Sequence, residues 1–126
     1  LNDDPNNASV DASESLGAKH KESDITSPDD LYDPWWDMLY HKGIGTLYYR
    51  GKWNLFDQII FSAGLLDKSQ PERLHLLTHA VFSRDYLLQQ EGKYKGTPKR
   101  TTAGGVWING YSDHLPTQIF LVKDVK

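Results

Sequence analysis

At 126 residues the chain is one domain or part of one, long enough to bury a core and small enough that a missing partner would matter. A formal net charge of −3 removes bulk electrostatics as a basis for tight nucleic-acid binding, so any phosphate-facing role must come from a local site. The absence of cysteine excludes disulfides and thiolate metal sites, and the absence of a run of about 18 apolar residues excludes a membrane-spanning helix.

The chain begins Leu1-Asn2-Asp3-Asp4-Pro5, without an initiator methionine. No signal peptide is visible, but with such a start that carries no weight, and the compartment stays open, secreted or periplasmic locations included. A short helix is predicted over Ser9–Lys19, with Gly17 near its end. Lys19–Asp33 is polar, charge-rich and reads as a surface loop. Pro34 suits a first helical position and leads Trp35-Trp36-Asp37-Met38-Leu39-Tyr40, stopped by Gly43 and Gly45. Trp35, Trp36 and Tyr40 are expected to pack this helix into the core.

From Thr46 the pattern takes on a strand period. Thr46–Arg50 and Leu55–Ser62 are predicted strands, joined as a hairpin by a turn at Gly51-Lys52. His75–Phe82 is a further apolar run, and Asp85–Gln90 one helical turn. Gly92–Gly105 is a basic, glycine-containing loop, Val106-Trp107-Ile108 is short and apolar, and Asn109-Gly110 is a turn dipeptide. Thr117–Val122 is the last strand, after Pro116. The mixture predicts an α/β or α+β sandwich.

Two polar groups stand out. On a strand, Leu55, Asp57, Ile59 and Phe61 share one face, so the Asp57 carboxylate would be partly buried and in need of a partner; the plain alternative is an acid capping a loop. His114 is the natural partner. An imidazole titrating near pH ~6.5 can take a proton from water, and a carboxylate on its second nitrogen sets tautomer and orientation. The plain alternative for Ser112-Asp113-His114 is a turn that caps its own backbone. Asp113 would point elsewhere, toward a metal or a phosphate. Asn2 is a neutral group able to hold a phosphate oxygen, although Asn-Asp-Asp-Pro also starts helices.

Weaker candidates follow. His75 and His79 lie four apart on a strand, too far for one metal, without the glutamate of a zinc helix motif. His20 and His41 are expected to face solvent. Lys93, Lys95, Lys99 and Arg100 interleave with Tyr94 and Thr97, as a solvated loop or as a grip on phosphate.

Taken together, these pieces resemble the carboxy-terminal half of an endonuclease/exonuclease/phosphatase domain, of deoxyribonuclease-like fold. Three signatures occur in order. Leu1-Asn2-Asp3-Asp4-Pro5 resembles the family's Gly-Asp-x-Asn motif without its Gly-Asp. Trp53 to Ser62 resembles its Asp-bearing strand, and Ser112-Asp113-His114-Leu115-Pro116 its Ser-Asp-His-x-Pro motif before the final strand. Tyr48-Tyr49-Arg50 and Trp35-Trp36 resemble the bacterial branch.

The resemblance implies a phosphoric-ester hydrolase: a nuclease, phosphodiesterase or phosphatase of open substrate. In it His114 is the general base or the group that stabilises charge on phosphorus, Asp57 orients it, Asn2 holds the scissile phosphate, and Asp113 helps bind Mg²⁺ or Mn²⁺ or positions the attacking water. Lys99 and Arg100 hint at an anionic substrate, and Ser112 shapes the loop. Residues 1–126 would form roughly half of a four-layer α/β sandwich, mostly antiparallel sheet with helices on its outer face. The family's metal-binding Glu, its Asn partner and the Asp before the Asn are not matched, so the chain alone is expected to hydrolyse little or nothing. The other half of the domain, or a second copy, is expected to cover its sheet. The competing class is a non-catalytic glycan- or protein-binding module, which would need Trp35, Trp36 and Trp107 along one exposed strip.

Overall fold

A computed structural model describes residues 13–125. Asn2 and the Leu1–Pro5 motif therefore lie outside the described residues, as does the start of the helix expected at Ser9. Within them, residues 13–15 are helical and the turn ends at Gly17.

The expected loop over Lys19–Asp33 holds more order than its composition suggests. Strand β1, Leu31–Tyr32, pairs antiparallel with the later β4, Phe61–Ser62. Lys19 donates its N–H to the Leu31 carbonyl at 2.7 Å, which ties the preceding segment alongside. Helix α1 spans Trp35–Lys42. Pro34 already has helical angles, φ −72° and ψ −18°, and Asp33 Oδ1 accepts the Trp35 N–H at 3.0 Å. An Asp-Pro pair thus supplies both the cap and the preset first residue. Asp33 is fully buried, and burial raises its carboxyl above the ordinary range, opposed by the Ser13 hydroxyl and the helix N–H groups.

Only part of the aromatic helix face reaches the core. Trp35 and Met38 are buried, while Trp36 is half-buried and Tyr40 is exposed. Trp36 instead stacks on His20, with ring centroids 4.5 Å apart and planes 9° apart. His20 is thereby half-buried, contrary to the expectation of a solvent-facing ring, and lies 3.1 Å from Ser13 Oγ. His41 is exposed beside Asp37, one helical turn earlier.

The hairpin forms one residue earlier than its turn signal suggests. Strands β2, Leu47–Tyr49, and β3, Lys52–Asn54, pair through a two-residue turn of Arg50 (φ +49°) and Gly51 (φ +81°). Two left-handed residues match the strand twist, and glycine meets that demand without strain. The expected strand over Leu55–Ser62 divides. Residues 55–60 pair with no strand, and only Phe61 and Ser62 do, in β4.

The longest pair is β5, His75–Val81, with β8, Thr117–Val122, antiparallel and offset between Leu76 and Thr78. A small hairpin joins β6, Thr102–Ala103, at the end of the segment expected to be a loop, to β7, Val106–Trp107, in the short apolar stretch that follows it. Asp85–Leu87 is a single 3₁₀ turn. The described fold is α/β in composition. Its strands form four two-stranded antiparallel pairs around a core of Tyr32, Trp35, Met38, Leu55, Phe61 and Leu76. No described helix is long and apolar enough to cross a membrane.

His79 does not join His75. Its ring lies edge-on to Trp35 at 5.5 Å, while His75 Nδ1 is 3.0 Å from the Arg73 carbonyl. Burial lowers the His79 pKa below the ordinary 6.5, helped by Lys42 and opposed by Asp37 and Glu22. Folding thus favours the neutral ring. That stabilisation is whole above pH 6.5 and is lost as pH falls through the lower folded value. Urea unfolding is expected to show less stability at pH 5 than at pH 7, and His79→Phe, which keeps a ring against Trp35, is expected to flatten that slope. An unchanged slope would contradict this placement.

Candidate active site

The site is assembled around one buried side chain, Thr46. Its N–H donates to the Asn54 carbonyl at 2.8 Å, and its carbonyl accepts the Leu115 N–H at 2.7 Å. Its hydroxyl accepts the Phe56 N–H at 3.2 Å. Thr46 is fully buried, so these bonds form away from competing water. Each such bond contributes about 0.5–1.5 kcal/mol net. Together they staple the segment before Asp57 to the segment holding His114.

Each side is also anchored by packing. Leu55 is fully buried in the core, and Leu115 and Leu47 are almost so. An antiparallel bridge joins Leu47 to His114. Gln58 Nε2 donates to the Leu55 carbonyl at 2.8 Å, which curls the chain around Asp57. Residues 55–60 hold their shape by these bonds and not by a strand partner, so Asp57 is positioned without lying on a paired strand.

The result is a direct contact across 57 positions of sequence: His114 Nδ1 lies 2.7 Å from Asp57 Oδ2. An ionised carboxylate only accepts, so Nδ1 carries the hydrogen and Nε2 is left to accept a proton. Both side chains are roughly one-third exposed, at 35% for His114 and 38% for Asp57, so the pair is open to water and to a small ligand. The His114 N–H also donates to Ser112 Oγ at 3.0 Å, which holds the turn before it.

The remaining candidates are distributed unequally. Arg100 lines two cavities, of about 440 and 360 Å³, that it shares with Asp113, the neighbour of His114 in the chain, and its Nη2 donates to the Tyr48 carbonyl at 3.3 Å. Asp113 is exposed and lines both cavities too. Lys99 lines neither. Lys93 and Lys95 are exposed, with Lys93 Nζ over the Tyr94 ring at 5.5 Å. Gly110 lets the 99–100 backbone pass beneath it, since an added Cβ would fall 1.8 Å from the Lys99 carbonyl oxygen. The Asn-Gly turn signal was readable, but not this close approach. Thr46 had no signal at all, because its role depends on contacts from two separate segments, at 54–56 and at 115.

The exposed tryptophan strip is not formed. Trp35 is fully buried, whereas Trp107 is 68% exposed. A divalent-cation site is not formed by the described residues either: no three His, Asp or Glu side chains among them group closely enough to hold an ion. Asp57 is engaged by His114. The described residues by themselves do not complete a metal site.

A family model that describes hydrolases of phosphoric esters matches residues 1–123. It is that of the endonuclease/exonuclease/phosphatase family, and the chain belongs to this family. No curated protein and no solved structure matches the chain.

Proposed function

We propose that this chain supplies the base side of a phosphoric-ester hydrolase site, with His114 as general base and Asp57 as the group that orients it. The observation behind this reading is the 2.7 Å contact between His114 Nδ1 and Asp57 Oδ2. In the reaction, His114 Nε2 takes a proton from water as the water oxygen bonds to phosphorus. The ester P–O bond breaks, the leaving alkoxide takes a proton from solvent, the phosphate product keeps the water oxygen, and the His114 imidazolium then gives its proton to solvent. Asp57 stabilises the imidazolium formed in this step. The Arg100 guanidinium offsets charge on the phosphoryl oxygens, and Asn2 holds the scissile phosphate, as the family resemblance implies.

Asp113 is the chain's contribution to a site for Mg²⁺ or Mn²⁺. Its companion ligands are not among the described residues, so no step is drawn through the ion. On this reading residues 1–126 act as the carboxy-terminal half of the domain, of the bacterial branch, and contribute half of a four-layer sandwich. Leu74, Leu77 and Phe120 on and beside the β5–β8 pair are exposed and would lie under the remaining half or a second copy.

The test is hydrolysis of generic phosphodiester and phosphomonoester substrates, with and without Mg²⁺. The chain alone is expected to show little turnover, and the chain with the rest of a family domain supplied is expected to show metal-dependent turnover. Absence of hydrolysis from the completed domain on every ester would overturn the reading.

A further inference from the structure

Thr46 immediately precedes β2 and is fully buried. Valine has almost the same shape, so packing alone does not call for a hydroxyl there, and burying one costs free energy unless it is hydrogen-bonded. Two of the Thr46 bonds, to the Asn54 carbonyl and from the Leu115 N–H, use its backbone and survive a change of side chain. The third does not: Thr46 Oγ1 accepts the Phe56 N–H at 3.2 Å. Residues 55–60 pair with no strand, so no ladder takes up that N–H when the hydroxyl is removed.

Pinning Phe56 bears on His114 in two ways. Asp57 is the next residue, and its Oδ2 lies 2.7 Å from His114 Nδ1. The Phe56 ring itself lies beside the imidazole, with centroids 6.3 Å apart and planes 48° apart. From the other direction, the Thr46 carbonyl holds Leu115, the residue after His114, and Leu47 is bridged to His114 itself. The side chain of Thr46 thus fixes the carboxylate relative to a ring whose backbone the same residue already holds.

Resting on the hydrolase reading, we infer that Thr46 is a positioning residue for that reaction: its hydroxyl sets the Asp57–His114 contact, and through it which ring nitrogen is free to take a proton from water. A neutral imidazole carries its hydrogen on either nitrogen, and a hydrogen bond from Nδ1 to a carboxylate selects the Nδ1–H form. Hydrogen bonds weaken steeply with poor alignment, so releasing Phe56 loses this selection without removing either partner. Thr46 is buried and meets neither ester nor attacking water. It acts through Asp57 and His114.

Heteronuclear NMR of the histidine ring nitrogens in the full chain, without metal or substrate, tests this, with the His114 signal assigned by its loss in His114→Ala. With the ring neutral, the wild-type chain is expected to hold His114 in the Nδ1–H form. Thr46→Val is expected to shift it toward the Nε2–H form that an unconstrained imidazole side chain prefers. Thr46→Ser, which keeps the hydroxyl and loses a methyl, is expected to retain the wild-type form. A role in stability alone would lower the melting temperature of both variants and leave both tautomers unchanged. In the completed domain, Thr46→Val is expected to lower kcat by about ten- to hundredfold with KM unchanged. It is expected to cost nothing further in a His114→Ala background. The wild-type tautomer in a folded Thr46→Val chain would overturn the inference. So would its loss in Thr46→Ser, which carries the test should the valine variant not fold. The two readings fail separately. A tautomer shift in Thr46→Val, with no hydrolysis by the completed domain, sinks only the catalytic reading. Hydrolysis that requires His114 but is indifferent to Thr46→Val sinks only the positioning role.

Discussion

In a completed domain, His114→Ala is expected to lower phosphoester hydrolysis by about 10²–10⁴-fold, the usual contribution of a positioned general base. The loss falls on kcat, because the imidazole acts on the attacking water and not on the resting ester. Asp57→Asn is expected to cost less. The amide is nearly isosteric with the carboxylate, so the ring stays in place, but a neutral group no longer stabilises the imidazolium. Asparagine can also present its NH₂ to Nδ1, and the tautomer then inverts, which puts the hydrogen on Nε2 where the water should give one up. Steady-state kinetics on one diester and one monoester separate these effects. Undiminished turnover in His114→Ala would remove the proposed base.

Trp35→Ala is expected to be the most damaging substitution for stability, at about 3–5 kcal/mol. Trp35 is fully buried, begins α1 and meets the His79 ring on β5. Its neighbours Tyr32, Met38, Leu55, Phe61 and Leu76 come from both sides of the hairpin, so the cavity left behind cannot collapse without moving Leu55. Small domains have only about 5–15 kcal/mol in total. Thermal or urea unfolding is expected to show a largely unfolded or strongly destabilised variant. A shift of less than about 1 kcal/mol would mean that the core is organised elsewhere.

These two residues differ in how far the sequence announced them. Trp35 follows an Asp-Pro helix start and begins an apolar stripe with Met38, and both signals are local. The final strand Thr117–Val122 and the run from His75 were likewise legible, because long paired strands impose their own alternation. Asp57 was legible as a partner for His114 but misplaced as structure. Leu55, Asp57 and Ile59 alternate as a strand would, yet the segment bonds to the Thr46 hydroxyl and to Gln58, and no ladder forms. Period-2 alternation reports an extended backbone and not a paired one.

The turn slipped by one residue for a related reason. Gly51 signalled the turn, but arginine in a left-handed position is a choice that propensity disfavours. The His20–Trp36 stack and the convergence of two separate segments on Thr46 are contacts between distant positions, which no local window contains. Family membership was legible from three motifs in order. The geometry of the pair could not be read that way, because it depends on the fold carrying position 57 to position 114.

The central claim is that Asp57 acts on phosphate esters only through His114. A double-mutant cycle on kcat in the completed domain tests it most directly. If the two side chains work as one unit, Asp57→Ala combined with His114→Ala is expected to be no slower than His114→Ala alone. Losses that multiply would show two independent groups and contradict the account.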